Sequence, residues 1–364
     1  ATAFSGVSSF DGDTFQTYSR QNGLCGNQVL YILRDSRERL WFATLDGGVC
    51  WHDGHDFHIP KALEGFGPVV DCLLEDRDGR IWIIGPDLLS TYDGETVRDL
   101  LPEFRRQCGF SVGTCWSLDQ DAMGDVWIAT KRLVRYDGEH FHVQGSEQGL
   151  PDELNLCTIG RDDDSRLWVG YQDLNRVFRH DGEHFQLALE EAMGRVRRIR
   201  PDCEGRVWIG TSGGGAYCYD DGEFHHITVA DGLAYPTVND VFQDREGLLW
   251  FGTWGGGVNC CDMHHVRRYY LDTDGDAVQR PMEKESVRLA ADGYAVLGGD
   301  VSAKSNFWSL CPDRQGGLWM GGTYGLMRWN GDGLERFELE DGLGDFPDLT
   351  VDGTGRLWIG HSHI

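Results

Sequence analysis

Apolar and polar residues alternate along this chain in runs of four to seven, and glycine-containing turns cut the runs at short intervals. One stretch shows the pattern. The run VRRIRP (196–201) is followed by Asp202-Cys203-Glu204-Gly205, then by RVWIGT (206–211) and the glycine turn Gly213-Gly214-Gly215. AYCYD (216–220), Asp221-Gly222 and EFHHIT (223–228) complete it. A period of two places successive side chains on opposite faces, so these runs predict strands. Glycine supplies the positive φ of tight hairpins, and Asp-Gly is a strong hairpin pair. The stretch therefore predicts a four-stranded antiparallel meander. The nearest approach to an amphipathic helix is QLALEEAMGR (186–195), and it is short.

The same pattern returns along the whole length. RLWFAT, RIWIIG, DVWIAT, RLWVGY, RVWIGT, LLWFGT, GLWMGG and RLWIGH carry Trp41, Trp82, Trp127, Trp168, Trp208, Trp250, Trp319 and Trp358, with gaps of 41, 45, 41, 40, 42, 69 and 39 residues. A period near 40 built from short strands predicts a β-propeller, with one large flat ring per blade filling the wedge against its neighbour. The long gap marks an insertion at 271–304. The last repeat stops after its second strand. Gly6-Val7-Ser8-Ser9-Phe10-Asp11-Gly12 matches Gly48-Val49-Cys50-Trp51-His52-Asp53-Gly54 at an offset of 42. Residues 348–364 and 4–18 are thus expected to share the eighth blade, closing the ring and leaving no sheet edge exposed. The expectation is an all-β fold: a single propeller of eight four-stranded blades over residues 1–364.

Composition narrows the partners. Against 33 Lys and Arg stand 59 Asp and Glu, a net charge of −26, which repels phosphate backbones and anionic membrane surfaces. Nucleic acid is excluded as a partner on this ground. No apolar run reaches the roughly 20 residues of a membrane span, and the start ATAFSGVSSF shows neither a basic segment nor an apolar stretch. That abrupt start suggests a piece of something longer, attached to further domains. The 11 cysteines lack CxxC spacing and fall mostly in strand patterns, as Cys72, Cys157, Cys218 and Cys260 do. They read as buried thiols in a reducing compartment.

The repeats closely resemble the two-component regulator propeller repeat. The resemblance rests on Asp231-Gly232-Leu233, Asn239-Asp240-Val241-Phe242, Asp244-Arg245-Glu246-Gly247 and Leu249-Trp250-Phe251-Gly252-Thr253, and on the seven sister copies. It covers essentially the whole chain outside 271–304. It implies a sensor propeller, periplasmic or extracellular, of a membrane histidine kinase, often sensing glycans. The chain departs from that pattern in its many cysteines, in closing at eight blades where seven is usual, and in carrying no kinase. The cysteines set the reducing compartment against the one the family implies.

Loops before the first strand and after the second strand of a meander emerge together, and they vary from blade to blade. Variable loops on a rigid frame are where binding residues are usually placed. The candidates are Trp254, Tyr324, Tyr171, Gln172, Asp173, Tyr235, Arg197, Lys131 and His361, with Trp254 and Tyr324 foremost because they interrupt small Gly/Ser turns. Asp46, Asp87, Ser212, Asn27-Gln28, Arg195, Lys304–Asn306 and Phe346 occupy the same loops. Aromatic faces beside Asp, Gln and Arg suit an oligosaccharide or other small ligand. A neutral or cationic one is expected from the overall charge. The opposite loops carry Asp-x-x-Gly and Asp-Gly turns, such as Asp76–Gly79 and Asp137-Gly138, and read as turn chemistry.

No cofactor or metal is expected. In the insertion, Asp272, Asp274 and Asp276 surround Gly275, and Glu283 stands at the twelfth position. Glycine falls at the fourth position of that run instead of the sixth, so the calcium-loop pattern fails and a solvated acidic turn is expected. His225-His226 and His264-His265 split across strand faces. No nucleophile or metalloprotease motif occurs. The leading expectation is a ligand-binding sensor, not an enzyme. The rivals are a protein-interaction scaffold and a lyase-type propeller in which His361 or His363 acts as acid or base.

Overall fold

The computed structural model describes residues 6–11, 14–64, 69–152, 156–171, 175–190, 194–244, 247–255, 258–261, 266–271, 277–279, 305–322, 325–330, 334–337 and 348–361. The chain is an eight-bladed β-propeller, and strands dominate throughout. It forms two compact units. The first comprises residues 1–159, 183–185 and 344–364, and the second residues 160–182 and 186–343.

In the first unit, blade one runs Val29–Arg34, Leu40–Thr44, Val49–His52 and Phe57–His58. Blade two runs Cys72–Glu75, Ile81–Gly85, Leu88–Tyr92 and Val97–Asp99. Blade three runs Ser117–Gln120, Val126–Ala129, Leu133–Tyr136 and Phe141–Val143. Blade eight joins Leu349–Val351 and Leu357–His361 to Gly6–Phe10 and Phe15–Tyr18. As the end-matching predicts, Val7 pairs with Gly360 and Ser9 with Trp358.

The strands of blade four are Leu156–Arg161, Leu167–Tyr171, Val177–His180 and Phe185–Leu189. Blade five of the second unit runs Arg195–Pro201, Val207–Ser212, Ala216–Asp220 and Glu223–Ile227. Blade six runs Val238–Gln243, Leu249–Gly255, Val258–Cys261 and Val266–Leu271, with Ala277–Gln279 added at its outer edge. Blade seven runs Ser305–Pro312, Leu318–Gly322, Gly325–Trp329 and Leu334–Phe337. Of the insertion at 271–304, Leu271 and Ala277–Gln279 are described; the rest, with Asp272, Asp274, Asp276 and Glu283, lies outside the described residues.

The helix expectation needs correction. Residues 186–189 belong to a strand, and the α-helix is Leu101–Cys108, between blades two and three. Pro102 sits in its first turn, where a missing N–H costs nothing. Gly109 closes it with φ 75°. Leu101 and Phe104, three residues apart, are both buried. Two apolar anchors in eight residues leave little periodicity to see.

In seven blades the repeated tryptophan is pegged to the aspartate that opens its own turn, six residues earlier. The indole N–H donates to Asp Oδ2 in seven blades: Trp41 to Asp35 at 2.8 Å, Trp82 to Asp76 at 2.9 Å, Trp127 to Asp121 at 2.8 Å and Trp168 to Asp162 at 3.0 Å. Trp208 donates to Asp202 at 2.9 Å, Trp250 to Asp244 at 2.7 Å and Trp358 to Asp352 at 2.9 Å. In blade seven the equivalent Asp313 accepts Arg328 Nε and Nη2 at 2.8 and 2.6 Å. The other carboxylate oxygen caps the turn: Asp35 Oδ1 accepts the N–H groups of Arg37 and Arg39. These aspartates are turn residues, as the sequence suggests, but most are buried and serve the core. Burial pushes the Asp352 carboxyl up, and hydrogen bonds from Thr354, Trp358 and the turn backbone overcome it and hold the group below its ordinary range. The Asp-Gly hairpins are more open. Asp93, bonded by the Thr96 and Glu95 N–H groups and the Thr96 hydroxyl, is held at about 2.

Neighbouring blades are clipped together at the same end. The residue just before the turn aspartate accepts an N–H from the turn of the preceding blade: Ser36 to Glu75 and Arg77 to Gln120, at 2.6 and 2.8 Å, in the first unit. Cys203 donates to Gln243 at 2.6 Å in the second. Further in, Asp348 accepts the Ile32 N–H at 2.8 Å, joining blade eight to blade one.

Eight described cysteines are thiols. Cys25, Cys50, Cys72, Cys115, Cys218 and Cys311 are buried, and Cys203 is exposed. Burial raises the Cys50 thiol well above its ordinary value, and the Cys25 thiol beside it adds to the shift.

Candidate functional site: an aromatic platform on strand bulges

Among the described pairings, the first strand of a blade is irregular in blades one, five, six and seven. In blade five Val196 pairs with Thr211 and Arg198 with Gly210, so Arg197 is an extra residue, a β-bulge. Blade six repeats this around Asn239, blade seven around Trp308 and blade one around Leu30. In each case the extra residue stands five positions before the turn aspartate. A bulge removes one residue from the ladder and re-aims its side chain.

In the second unit two of these re-aimed side chains meet on Trp254. The Arg197 guanidinium lies 5.1 Å from the centre of the Trp254 ring, and Trp308 meets the same ring edge-on at 4.6 Å. Trp254 sits near the end of an overlong second strand, Leu249–Gly255. Its N–H is fixed by Thr237 O at 3.0 Å, and its backbone pairs onward with Asn306 of blade seven. Gly255 then turns with φ 101°, and a Cβ there would stand 3.4 Å from the Tyr235 ring. That is ordinary contact, so it is the left-handed backbone at this position that favours glycine. Trp254 and Tyr235 keep 37% and 40% of their surface exposed, which is unusual for large aromatics on a protein with so few exposed ones.

Charge around the platform is positive. The strand Arg195–Pro201 holds Arg195, Arg197, Arg198 and Arg200. The buried Asp240 faces Arg198 Nε at 3.1 Å and Arg200 Nε at 3.9 Å. The same carboxylate accepts the N–H groups of Val241 and, at 3.4 Å, Leu310. It thus ties the first strands of blades five, six and seven together beneath the platform. Asn239 donates to Phe307 O at 2.9 Å and helps to hold the bulge of the next blade.

The sequence candidates divide accordingly. Arg197, Trp254 and Tyr235 come together. Lys131 is exposed in the first unit, its Nζ 4.6 Å from the centre of the Phe110 ring. Tyr171 is not a loop residue: it ends a strand, is 3% exposed, and packs edge-on against Phe178. His361 is likewise buried, 1% exposed, with Nε2 2.9 Å from Ser8 Oγ, because its strand is covered by the closing strand Gly6–Phe10. An acid–base role at an open site does not fit that position. Asp46 serves its own loop, accepting the N–H groups of Asn27 and Gln28, and Asp87 is paired with Arg105. Tyr324, Gln172, Asp173, Lys304, Phe346, His264, His265 and His363 lie outside the described residues. Sequence reasoning missed Trp308 and also Trp116, which is 50% exposed in blade three. Both stand five residues before a turn aspartate, Asp313 and Asp121, so the repeat alignment could have found them.

A separate cleft of about 260 Å³ lies between the outer strands of blades four and five, around Arg179, Asp181, Gln186 and Phe224. Its arginine is already engaged by the Tyr219 hydroxyl at 2.7 Å. Among the described residues no group of three or more His, Cys, Asp or Glu is placed to hold a metal ion, and no helix is long and apolar enough to cross a membrane.

Fold and pegged repeats together define a β-propeller of Asp–Trp blades. Residues 65–87, 232–255 and 302–324 match the two component regulator propeller family, and the chain carries that family's repeats. The second and third of these segments contain Tyr235, Trp254 and Trp308. Among curated proteins, none matches the chain by sequence. Among solved structures the fold is similar to that of virginiamycin B lyase from Staphylococcus aureus, a catalytically inactive variant with quinupristin. That match has a TM-score of 0.52 and 12% identity over 91% of this chain and 94% of that one. It is also similar to PorZ of Porphyromonas gingivalis, a surface component of the type-IX secretion system, with a TM-score of 0.50 and 15% identity over 98% of this chain and 55% of that one. The extracellular domain of a putative one component system from B. thetaiotaomicron matches with a TM-score of 0.38 and 14% identity over 100% and 69%. At these identities the likeness is one of fold.

Proposed function

We propose that this chain is the ligand-recognition propeller of a signalling protein, and that it binds an oligosaccharide or another small ligand on the platform of Arg197, Tyr235, Trp254 and Trp308. One observation carries the reading: two strand bulges, in blades five and seven, turn Arg197 and Trp308 onto a half-exposed Trp254. Partly exposed aromatics held rigidly beside directional polar groups are what a sugar ring needs, a flat face to stack on and fixed donors. The matched repeat family supports the signalling role. A thermal-shift screen of oligosaccharides tests it, because a ligand that binds only the folded state raises Tm by mass action. A hit that persists unchanged in Trp254→Ala would move the site elsewhere. The exposure of Trp116 favours a second reading, a protein partner docking on blade three. In that case no small molecule shifts Tm, and Trp116→Ala weakens capture of the partner.

A further inference from the structure

Four of the chain's 11 cysteines meet as two pairs inside the first unit. Cys25 lies in the segment before blade one, and Cys50 stands 25 residues on, in that blade's third strand. The Cys25 N–H donates to Cys50 Sγ at 3.3 Å, and the Cys25 thiol reaches the carbonyl of Phe42, which faces Cys50 across the ladder. The two thiols hydrogen-bond to one another. The second pair joins two blades. Cys72 opens the first strand of blade two, and Cys115 lies 43 residues on, just before the first strand of blade three. Cys72 Sγ donates to Cys115 O at 3.2 Å, and Asp71 Oδ2 accepts the Cys115 N–H at 3.0 Å. Here too the thiols bond to one another. All four cysteines are buried.

A thiol packs as a small hydrophobe, so one such contact would be ordinary core. Two, each locked by a bond between the sulfur of one cysteine and the backbone of the other, bring distant stretches of chain to where a disulfide needs them. We infer that Cys25–Cys50 and Cys72–Cys115 are disulfide sites, each closed by exchange with a disulfide donor in an oxidising compartment. One cysteine thiolate attacks the donor disulfide and displaces a donor thiolate; its partner then attacks the mixed disulfide and displaces the other. One S–S bond forms and the donor's breaks. The pair gives up two electrons and two protons, and the donor becomes a dithiol. Burial keeps the Cys50 and Cys115 thiols protonated in the folded chain, so the exchange belongs to the folding chain, before the blades close over the sulfur atoms. The first bridge ties the lead-in of blade one to its third strand. The second staples blade two to blade three, next in sequence to the exposed Trp116. Such bridges persist in an exported compartment and not in the reducing one expected for buried thiols.

The test is a peptide map of the whole chain. The protein is unfolded in urea with dithiothreitol, refolded in reduced and oxidised glutathione, alkylated in denaturant and digested without reduction. Mass spectrometry is expected to find Cys25 linked to Cys50 and Cys72 linked to Cys115, each link lighter than its separate peptides by the two thiol hydrogens. Cys108, whose thiol burial pushes up to about 11, is expected to be alkylated. The oxidised chain should melt at least about 5 °C above the reduced one, and Cys50→Ala combined with Cys115→Ala should abolish the difference. Refolded chain with these four cysteines alkylated overturns the inference, as do bridges scattered among other cysteines. Recovery of one pair alone overturns the other, and linked pairs with an unchanged Tm overturn the stapling role. Where the chain does not refold, the same map is made on chain exported to a bacterial periplasm, and alkylated thiols there overturn the inference equally.

Discussion

The indole N–H of Trp208 lies 2.9 Å from Oδ2 of Asp202, a carboxylate that also takes Arg206 Nε at 2.6 Å and the N–H groups of Glu204 and Arg206. Four donors on one buried acid make the turn, the tryptophan and the arginine a single unit. Asp202→Ala strands all four in a site where water cannot replace the acid. Each unsatisfied buried donor costs about 1–3 kcal/mol, and breaking a buried pair costs about 3–5 kcal/mol. Urea denaturation should show a loss of about 3–5 kcal/mol. A loss below about 1 kcal/mol would mean the peg is not structural.

Trp254→Ala should behave in the opposite way. The side chain is partly exposed and belongs to no blade core, so stability should change by less than about 1 kcal/mol. Ligand binding should weaken by about 2 kcal/mol or more, roughly thirtyfold, as for an aromatic anchor at the centre of a site. Paired titration and denaturation of this variant measure both.

Gly255→Ala tests the geometry of the platform without touching its side chains. An alanine at φ 101° is strained by about 1–3 kcal/mol, and relief of that strain would shift the backbone against which the Tyr235 ring rests. We expect lower Tm together with weaker ligand binding. Unaltered binding would show that Tyr235 is a bystander.

His52 should give the fold a pH dependence. It is 2% exposed, ringed by Phe57 and Trp358 at 4.7 Å each, and its Nδ1 accepts the Gly54 N–H. Burial lowers its pKa from the ordinary 6.5, opposed by the charge of Asp53. As pH falls below that ordinary value, the unfolded chain takes up a proton that the folded chain refuses, so stability declines until the folded pKa is passed. His52→Phe should flatten this part of the profile between pH 7.5 and 5. Parallel profiles for the two proteins would remove His52 as the cause.

Deleting residues 1–18 should be far more damaging than an N-terminal trim usually is. It removes the outer two strands of blade eight and leaves Leu357–His361 as an unpaired edge. It also takes Tyr18 from its stack on Trp358 at 5.6 Å. Aggregation in size-exclusion chromatography is expected, against a monodisperse full chain.

The frame of this molecule is legible in its sequence because it is written eight times. The Trp spacing marks the blades, and the match of Gly6–Gly12 to Gly48–Gly54 predicts the shared eighth blade before any coordinate is known. The site is less legible because it depends on what is not repeated. Arg197, Tyr235 and Trp254 stand out as large or charged residues in loops of small ones. Trp308 is hidden, since a tryptophan inside an apolar strand looks like core until its pairing shows it bulged. Tyr171 and His361 err the other way: their loop-like positions are buried strand ends, Tyr171 against Phe178 of the next strand and His361 under the closing strand from the other end of the chain. The helix Leu101–Cys108 escapes notice because two buried residues suffice to dock it.

Where a first strand carries a bulge, the extra residue stands outside the pairing register and outside the Asp–Trp peg. Leu30, Arg197, Asn239 and Trp308 occupy it in four blades, an aliphatic, a cation, an amide and an indole on the same backbone. Folding therefore constrains the frame more tightly than this place, which holds a buried, hydrogen-bonded amide in blade six and a side chain of another kind in each of the other three. A lineage can rewrite what the protein recognises one letter at a time, blade by blade, without renegotiating how it folds.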